Sequence, residues 1–213
     1  MADKEILIFV EGSSDKVFLE VYLYFLEYFP IKNFKVKDVT GKDNLSKRLL
    51  EIEQYAKTLI IFDADNYESN KKEILKVVSK TQQKITEEQI FLFPNNQDNG
   101  DLETLLLEMA KHDEFLKCFE GYLECIKSKE HYKPIKDIGK SKWYAYLEAL
   151  GLENLTKTNI DVFDSKGKIK ERYKEEYEKL KEVIDFNSKS LIPLKNFLGQ
   201  FAENNQKTNL KIF

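Results

Sequence analysis

The stretch "KEILIFVEGSSDKVFLEVYL", residues 4–23, starts as a strand and finishes as a helix. Residues 6–10, "ILIFV", form a continuous apolar run, the mark of a strand buried on both faces. From residue 16 the apolar positions fall near 17/18, 21/22, 25/26 and 29, which is the spacing of one helix face. A helix is therefore expected over 16–29, closed by Pro30. Glu11, Gly12, two serines and Asp15 sit at the junction. Taken alone, acids at a helix start with a serine cap are ordinary helix chemistry. The rest of the chain decides whether that is enough.

The same succession recurs downstream. "FKVKDV" (34–39) alternates and predicts a strand near a sheet edge, and "DNLSKRLLEIEQYA" (43–56) predicts a helix capped by Asp43. "TLIIF" (58–62) is a second fully apolar strand, followed by a polar helix over 69–80. "IFLFP" (90–94) is the last strand, stopped by Pro94, and "DLETLLLEMA" (101–110) is a helix with acids in its first turn. Alternating strands and helices predict an α/β fold with a parallel four-stranded sheet and helices on both faces. Runs 6–10 and 58–62 are the central strands, which gives the order 2-1-3-4. Ligands of such sheets bind outside the carboxyl ends of the strands where the order reverses, here between strands one and three.

Residues 1–111 are read as the core, and 112–213 as a mainly helical extension packed on or beside it. In the extension, "KWYAYLEALG" (142–151), residues 168–184 and residues 191–201 are expected to be helices, with a loop over 156–168. Ile169, Tyr173, Tyr177, Leu180 and Ile184 make one stripe, the pattern of a packing face.

The 213 residues, 42% hydrophobic and 13% aromatic, suffice for a real core. There is no apolar run of membrane-spanning length. "MADKEILIFVEG" resembles neither a signal nor a transit peptide, so a cytoplasmic location without membrane partners is expected. Cys118 and Cys125 fit no metal-ligand spacing, and His112 and His131 are too few for a zinc site or a histidine triad. The net charge of −3 is not that of a simple DNA-binding module. It is unevenly spread, from −6 over residues 1–110 to +3 over 111–213.

The predicted topology brings distant carboxylates together. Glu11 and Asp15 follow strand one, Asp63 and Asp65 in "LIIFDADN" follow strand three, and Asp101 and Glu103 in "NGDLETLL" follow strand four. Six acids on one rim would repel unless a cation sat among them, and oxygen ligands suit a hard divalent ion such as Mg²⁺. Gly41 and Lys42, after strand two, reach the same rim and could touch a phosphate.

"ILIFVEGSSDKVFLE" followed by "TLIIFDADN" resembles the Toprim domain, in which a glutamate after strand one and a D-x-D after strand three bind divalent metal. The fuller pattern of E-x-x-x-D, D-x-D and D-x-E is most similar to the OLD-family nucleases and to stand-alone Toprim proteins of this length. The resemblance covers residues 5–110 well and the remainder loosely. It implies a metal-dependent nuclease using one or two Mg²⁺ or Mn²⁺ ions. Glu11 would be a metal ligand or acid/base group, with Asp15, Asp63, Asp65, Asp101 and Glu103 as the further metal ligands. Gly12 and Lys16 at the helix start, with Gly41 and Lys42, would meet substrate phosphate. OLD-like enzymes also place a lysine near the scissile phosphate, for which Lys140 and Lys142 are the candidates. The implied partners are nucleic acid, DNA ahead of RNA, and a separate ATPase, since the chain has no G-x-x-x-x-G-K-[ST] loop. A role in DNA repair or phage defence would follow. The competing expectation is a weakly active or inactive Toprim subunit that serves such an ATPase, docking through Tyr173, Tyr177 and the helices after residue 111.

Overall fold

The computed structural model describes residues 5–26, 34–156, 162–163 and 168–201. Two compact units make up the chain. One takes the residues up to Leu102 and again from Lys189 onward, and the other is Glu103–Ser188.

The first unit holds four strands, β1 (Ile6–Val10), β2 (Phe34–Asp38), β3 (Lys57–Asp63) and β4 (Ile90–Phe93). All pairings are parallel, in the order β2-β1-β3-β4. The architecture is thus α/β and Rossmann-like, with the expected strand order. The apolar runs become the two inner strands because both of their faces need covering. Leu7–Val10 and Leu59–Ile61 are fully buried.

The register explains the two layers. Phe9 is level with Ile60, and Ile60 with Ile90, so these side chains share one face. They pack with Ile52 of α2 (Leu49–Ile52) and with Ile74 and Val78 of α3 (Tyr67–Val78). On the opposite face Phe93 meets Phe18 of α1 (Ser13–Phe25) edge-on at 6.1 Å. Phe91 meets Phe197 of α8 (Ile192–Gly199) at 5.3 Å. α8 lies with the sheet, in the same unit as the four strands. Each such buried side chain contributes about 1.5–3 kcal/mol.

Two local readings change. α1 begins at Ser13 rather than 16, because the Asp15 carboxylate reaches back to accept the Gly12 N–H and starts the first turn there. Pro30, expected to close it, lies outside the described residues. The segment read as a helix over 43–56 is mostly a 3₁₀ helix, Lys42–Arg48, with only Leu49–Ile52 as α. Its start is tightened by an i to i+3 bond from the Asn44 N–H to the Gly41 carbonyl, at 3.0 Å.

The second unit begins within α4 (Leu102–Glu108) and contains α5 (Asp113–Lys127), α6 (Ile138–Ala149) and α7 (Glu171–Val183). Inside it the Tyr146 hydroxyl donates to the Val183 carbonyl at 2.6 Å and accepts the His112 N–H at 3.3 Å. The α7 stripe is a packing face: Tyr177, Leu180 and Ile184 are buried. Tyr177, at 2% exposure, is taken up by this packing and is not a docking residue, whereas Tyr173 is half-buried. Of the loop expected over 156–168, residues 157–161 and 164–167 lie outside the described residues. Cys118 and Cys125 are free and exposed.

Candidate functional site

The reversal of strand order falls between β1 and β3, which run side by side. Val10 is level with Ile61, so Glu11, Asp63 and Asp65 emerge at the same end of neighbouring strands. Glu11 is half-buried, and its Oε2 has no hydrogen-bond partner. Burial above all, and then the charge of Asp65, push its carboxyl above the usual 4.5. Lys42 and the nearby backbone of Asp63 and Lys42 pull the other way and do not win.

The two aspartates are held differently. Asp63 Oδ1 accepts the Leu102 N–H at 3.0 Å, and its carbonyl accepts the buried Asn70 amide, also at 3.0 Å. Ala64 and Gly100 exchange a pair of backbone bonds of 2.9 and 3.1 Å. The half-buried Asp101, between Gly100 and Leu102, is therefore pinned against the 63–65 segment. Gly100 does this at φ 154, backbone that favours glycine. Asp65 is exposed and pairs with the Lys42 ammonium at 2.9 Å.

Lys42 arrives through a fixed turn. Val39 N–H donates to the Val10 carbonyl at 3.0 Å, and Gly41 N–H to the Glu11 carbonyl at 2.9 Å. Gly41 makes the turn at φ 96, which suits a residue without Cβ. Beside Lys42 a cavity of about 150 Å³ opens, lined by Leu45, Phe62, Ile74, Asn70 and Glu73.

The other expected residues have local duties or belong to the second unit. Asp15 is buried, and its Oδ2 accepts the Gly12 N–H at 2.8 Å, closing the α1 cap. Glu103 lies in α4, within the second unit. Lys16 is half-buried in the first turn of α1. Lys140 and Lys142 belong to the second unit, where Lys140 lies over the Tyr144 ring at 5.8 Å and Lys142 pairs with Glu120.

A family profile described as "Protein of unknown function (DUF3226)" matches residues 5–203. The chain belongs to that family. No curated protein and no solved structure matches this DUF3226 chain. None of these comparisons brings evidence for the Toprim or OLD families.

The donor set of this DUF3226 site suits a hard divalent cation in kind, since every candidate ligand is a carboxylate oxygen. The orphaned Glu11 Oε2 is an acceptor that a cation would satisfy. In position the set is not assembled. Among the described residues no three Asp, Glu, His or Cys side chains gather to hold an ion. Sequence patterns could flag the acids and Gly41-Lys42. They could not flag Asn70, whose buried amide holds the Asp63 carbonyl from seven residues away.

Proposed function

We propose that this chain is a divalent-metal-dependent nuclease of Toprim-like type that hydrolyses phosphodiester bonds in nucleic acid, DNA ahead of RNA. The observation that carries the reading is Glu11: a carboxylate half-buried at the strand-order reversal, its Oε2 unpartnered, its proton affinity raised, and Asp65 beside it. Such a group is costly to keep and is the mark of a functional site.

The chain's residues have distinct parts to play. Glu11, holding its proton more readily than an ordinary carboxyl, suits proton exchange with an attacking water. Asp63 is oriented by the Leu102 N–H, so its carboxylate direction is set before any ligand arrives. Asp65, exposed at the rim, is the acid a ligand meets first. Lys42 can offset charge on a phosphate docked at the same edge. What a bound Mg²⁺ or Mn²⁺ supplies at such a site is a more acidic water and positive charge against the phosphoryl oxygens.

A second reading has its own support. Among the described residues no three carboxylates gather to hold an ion, an arrangement that suits a weakly active subunit relying on a separate ATPase to complete the site. One experiment separates the two. Purified protein with Mn²⁺ should nick supercoiled plasmid or degrade single strands, and Asp63→Ala should abolish the activity. Equal cleavage by the variant would mean a contaminant and would end the nuclease reading. Inert wild type that becomes active with an added ATPase partner would favour the second.

A further inference from the structure

Residues 94–101, "PNNQDNGD", hold the chain's one Asn-Gly pair, Asn99–Gly100. We propose that Asn99 is a covalent modification site, open to deamidation and isomerisation and held shut by the Ala64–Gly100 bridge. The inference stands apart from the nuclease reading.

The chemistry needs only water and base. A glycine after asparagine has no Cβ to crowd its own nitrogen. Once base removes the Gly100 N–H proton, that nitrogen attacks Asn99 Cγ and forms a new C–N bond. The side-chain amide nitrogen leaves as ammonia, carrying off the proton that the base had taken, and a five-membered succinimide remains. Water then opens the ring at one of its two carbonyls. One opening leaves aspartate at position 99. The other leaves isoaspartate, in which the main chain runs through the former side chain.

The fold sets both reacting groups. Asn99 is exposed, so water and base reach it. Its Oδ1 accepts the Tyr67 N–H at 2.8 Å. Tyr67 is the first residue of α3, where N–H groups find no partner within the helix. This donor draws electron density from Cγ, so the electrophile is ready. The nucleophile is what the fold withholds. The Gly100 N–H donates to the Ala64 carbonyl at 3.1 Å, and the Ala64 N–H returns a bond of 2.9 Å to the Gly100 carbonyl. Base cannot reach a proton held in this pair, so the reaction waits until the bridge opens. Amide hydrogen exchange at Gly100 waits for the same event, because it too begins when base takes that proton. Conversion of Asn99 and exchange at Gly100 thus share one gate.

The two products act differently. Isoaspartate puts one more carbon into the main chain before Gly100, which can then no longer face Ala64 in register. The Leu102 N–H bond to Asp63 Oδ1 belongs to the same short segment. Isoaspartate therefore frees the turn that carries Asp101 from the D-x-D segment. Aspartate adds no atom to the main chain. Its carboxylate can still accept the Tyr67 N–H, and its charge suits the start of α3.

The test compares folded and guanidinium-unfolded protein at mildly alkaline pH. Conversion is read by peptide mapping across residues 99 and 100 and by labelling with an isoaspartyl methyltransferase. In the unfolded chain Asn99 should convert ahead of every other asparagine, and roughly tenfold or more faster than in folded protein. Hydrogen exchange on folded protein should show the Gly100 amide protected by the same factor, to within about threefold. Asn70→Ala loosens the Asp63 end of the segment and should speed both processes together. Asn99→Gln should abolish conversion, because its ring closure would have to be six-membered. Asn99→Asp should keep the wild-type Tm, whereas protein enriched in isoaspartate should melt lower and exchange its Ala64 amide faster. Equal conversion in folded and unfolded protein overturns the gate, as does Gly100 exchange that rises in Asn70→Ala while Asn99 conversion does not. No conversion of Asn99 in the unfolded chain overturns the site itself. An isoaspartate fraction with wild-type Tm and unchanged Ala64 exchange overturns the release of the turn.

Discussion

Glu11→Gln should make the protein more stable at neutral pH while removing the proposed cleavage activity. The sign follows from the carboxyl's surroundings. Its folded-state pKa is raised above 4.5, chiefly by burial and then by Asp65. Well below pH 4.5 the group is protonated in both states and adds no pH-dependent difference. As pH rises through 4.5 the unfolded chain releases its proton first, so the folded state loses stability relative to it. The loss continues until pH passes the folded value and is constant above that. Glutamine carries the same shape without the charge. Its oxygen can keep the backbone contacts, and its amide can donate toward Asp65. A buried acceptor left unsatisfied costs about 1–3 kcal/mol. With Glu11 only half-buried, the lower part of that range applies, about 1–2 kcal/mol at pH 7. For a chain of this size that raises Tm by roughly 2–8 °C. Thermal unfolding of both proteins between pH 3.5 and 8 is the assay. The gain should be largest above neutrality and shrink toward zero below about pH 4.5. A variant less stable than wild type at pH 7, or a difference flat across that range, would refute the reasoning. Glu11 would then be a structural carboxylate rather than one retained at a cost for chemistry.

Other consequences can be measured directly. Asp63→Asn keeps an acceptor for the Leu102 N–H, so it should fold with near-wild-type Tm and still lose Mn²⁺-dependent cleavage. A large drop in Tm would show that Asp63 is mainly a cap for α4. Asn70→Ala removes the buried donor to the Asp63 carbonyl. It should cost about 1–2 kcal/mol in urea unfolding and lower cleavage by loosening the D-x-D segment. Tyr146→Phe deletes a buried hydroxyl that bridges Val183 and His112. It should cost about 1–1.5 kcal/mol, seen as faster amide exchange in the second unit, with cleavage unchanged.

The sheet was legible because its information is local. Three apolar runs and one alternating segment, each bounded by turn or helix signals, state both the strands and their burial, and β–α alternation leaves few topologies open. The acids after β1 and β3 were legible for the same reason: a carboxylate directly after a buried run must lie at the sheet's carboxyl edge. What escaped depends on contacts between distant residues. The Ala64–Gly100 exchange pairs residues 36 apart in "DAD" and "NNQDNG", with no periodicity to mark it. The Lys42–Asp65 pair joins two exposed side chains 23 residues apart. Asp15 was a near miss of another kind. E-x-x-x-D reads equally as a ligand pair or as a helix start, and the Gly12 N–H decides for the cap. Over Lys42–Arg48 the apolar spacing Leu45, Leu49, Ile52 is that of an α-helix, but the anchored turn before it winds the segment more tightly.

The sheet unit draws its chain from both sides of the second unit, and α8 supplies the Phe197 ring that covers Phe91. During synthesis the four strands would leave the ribosome long before that ring does. Until then, α1 can cover Phe93 but Phe91 lacks the ring that packs on it, and the intervening helices must be made before that part of the sheet can be sealed. Strains with slowed translation through codons 103–188 should therefore accumulate aggregated or chaperone-bound nascent chains, which would disappear once residues 189–201 had emerged.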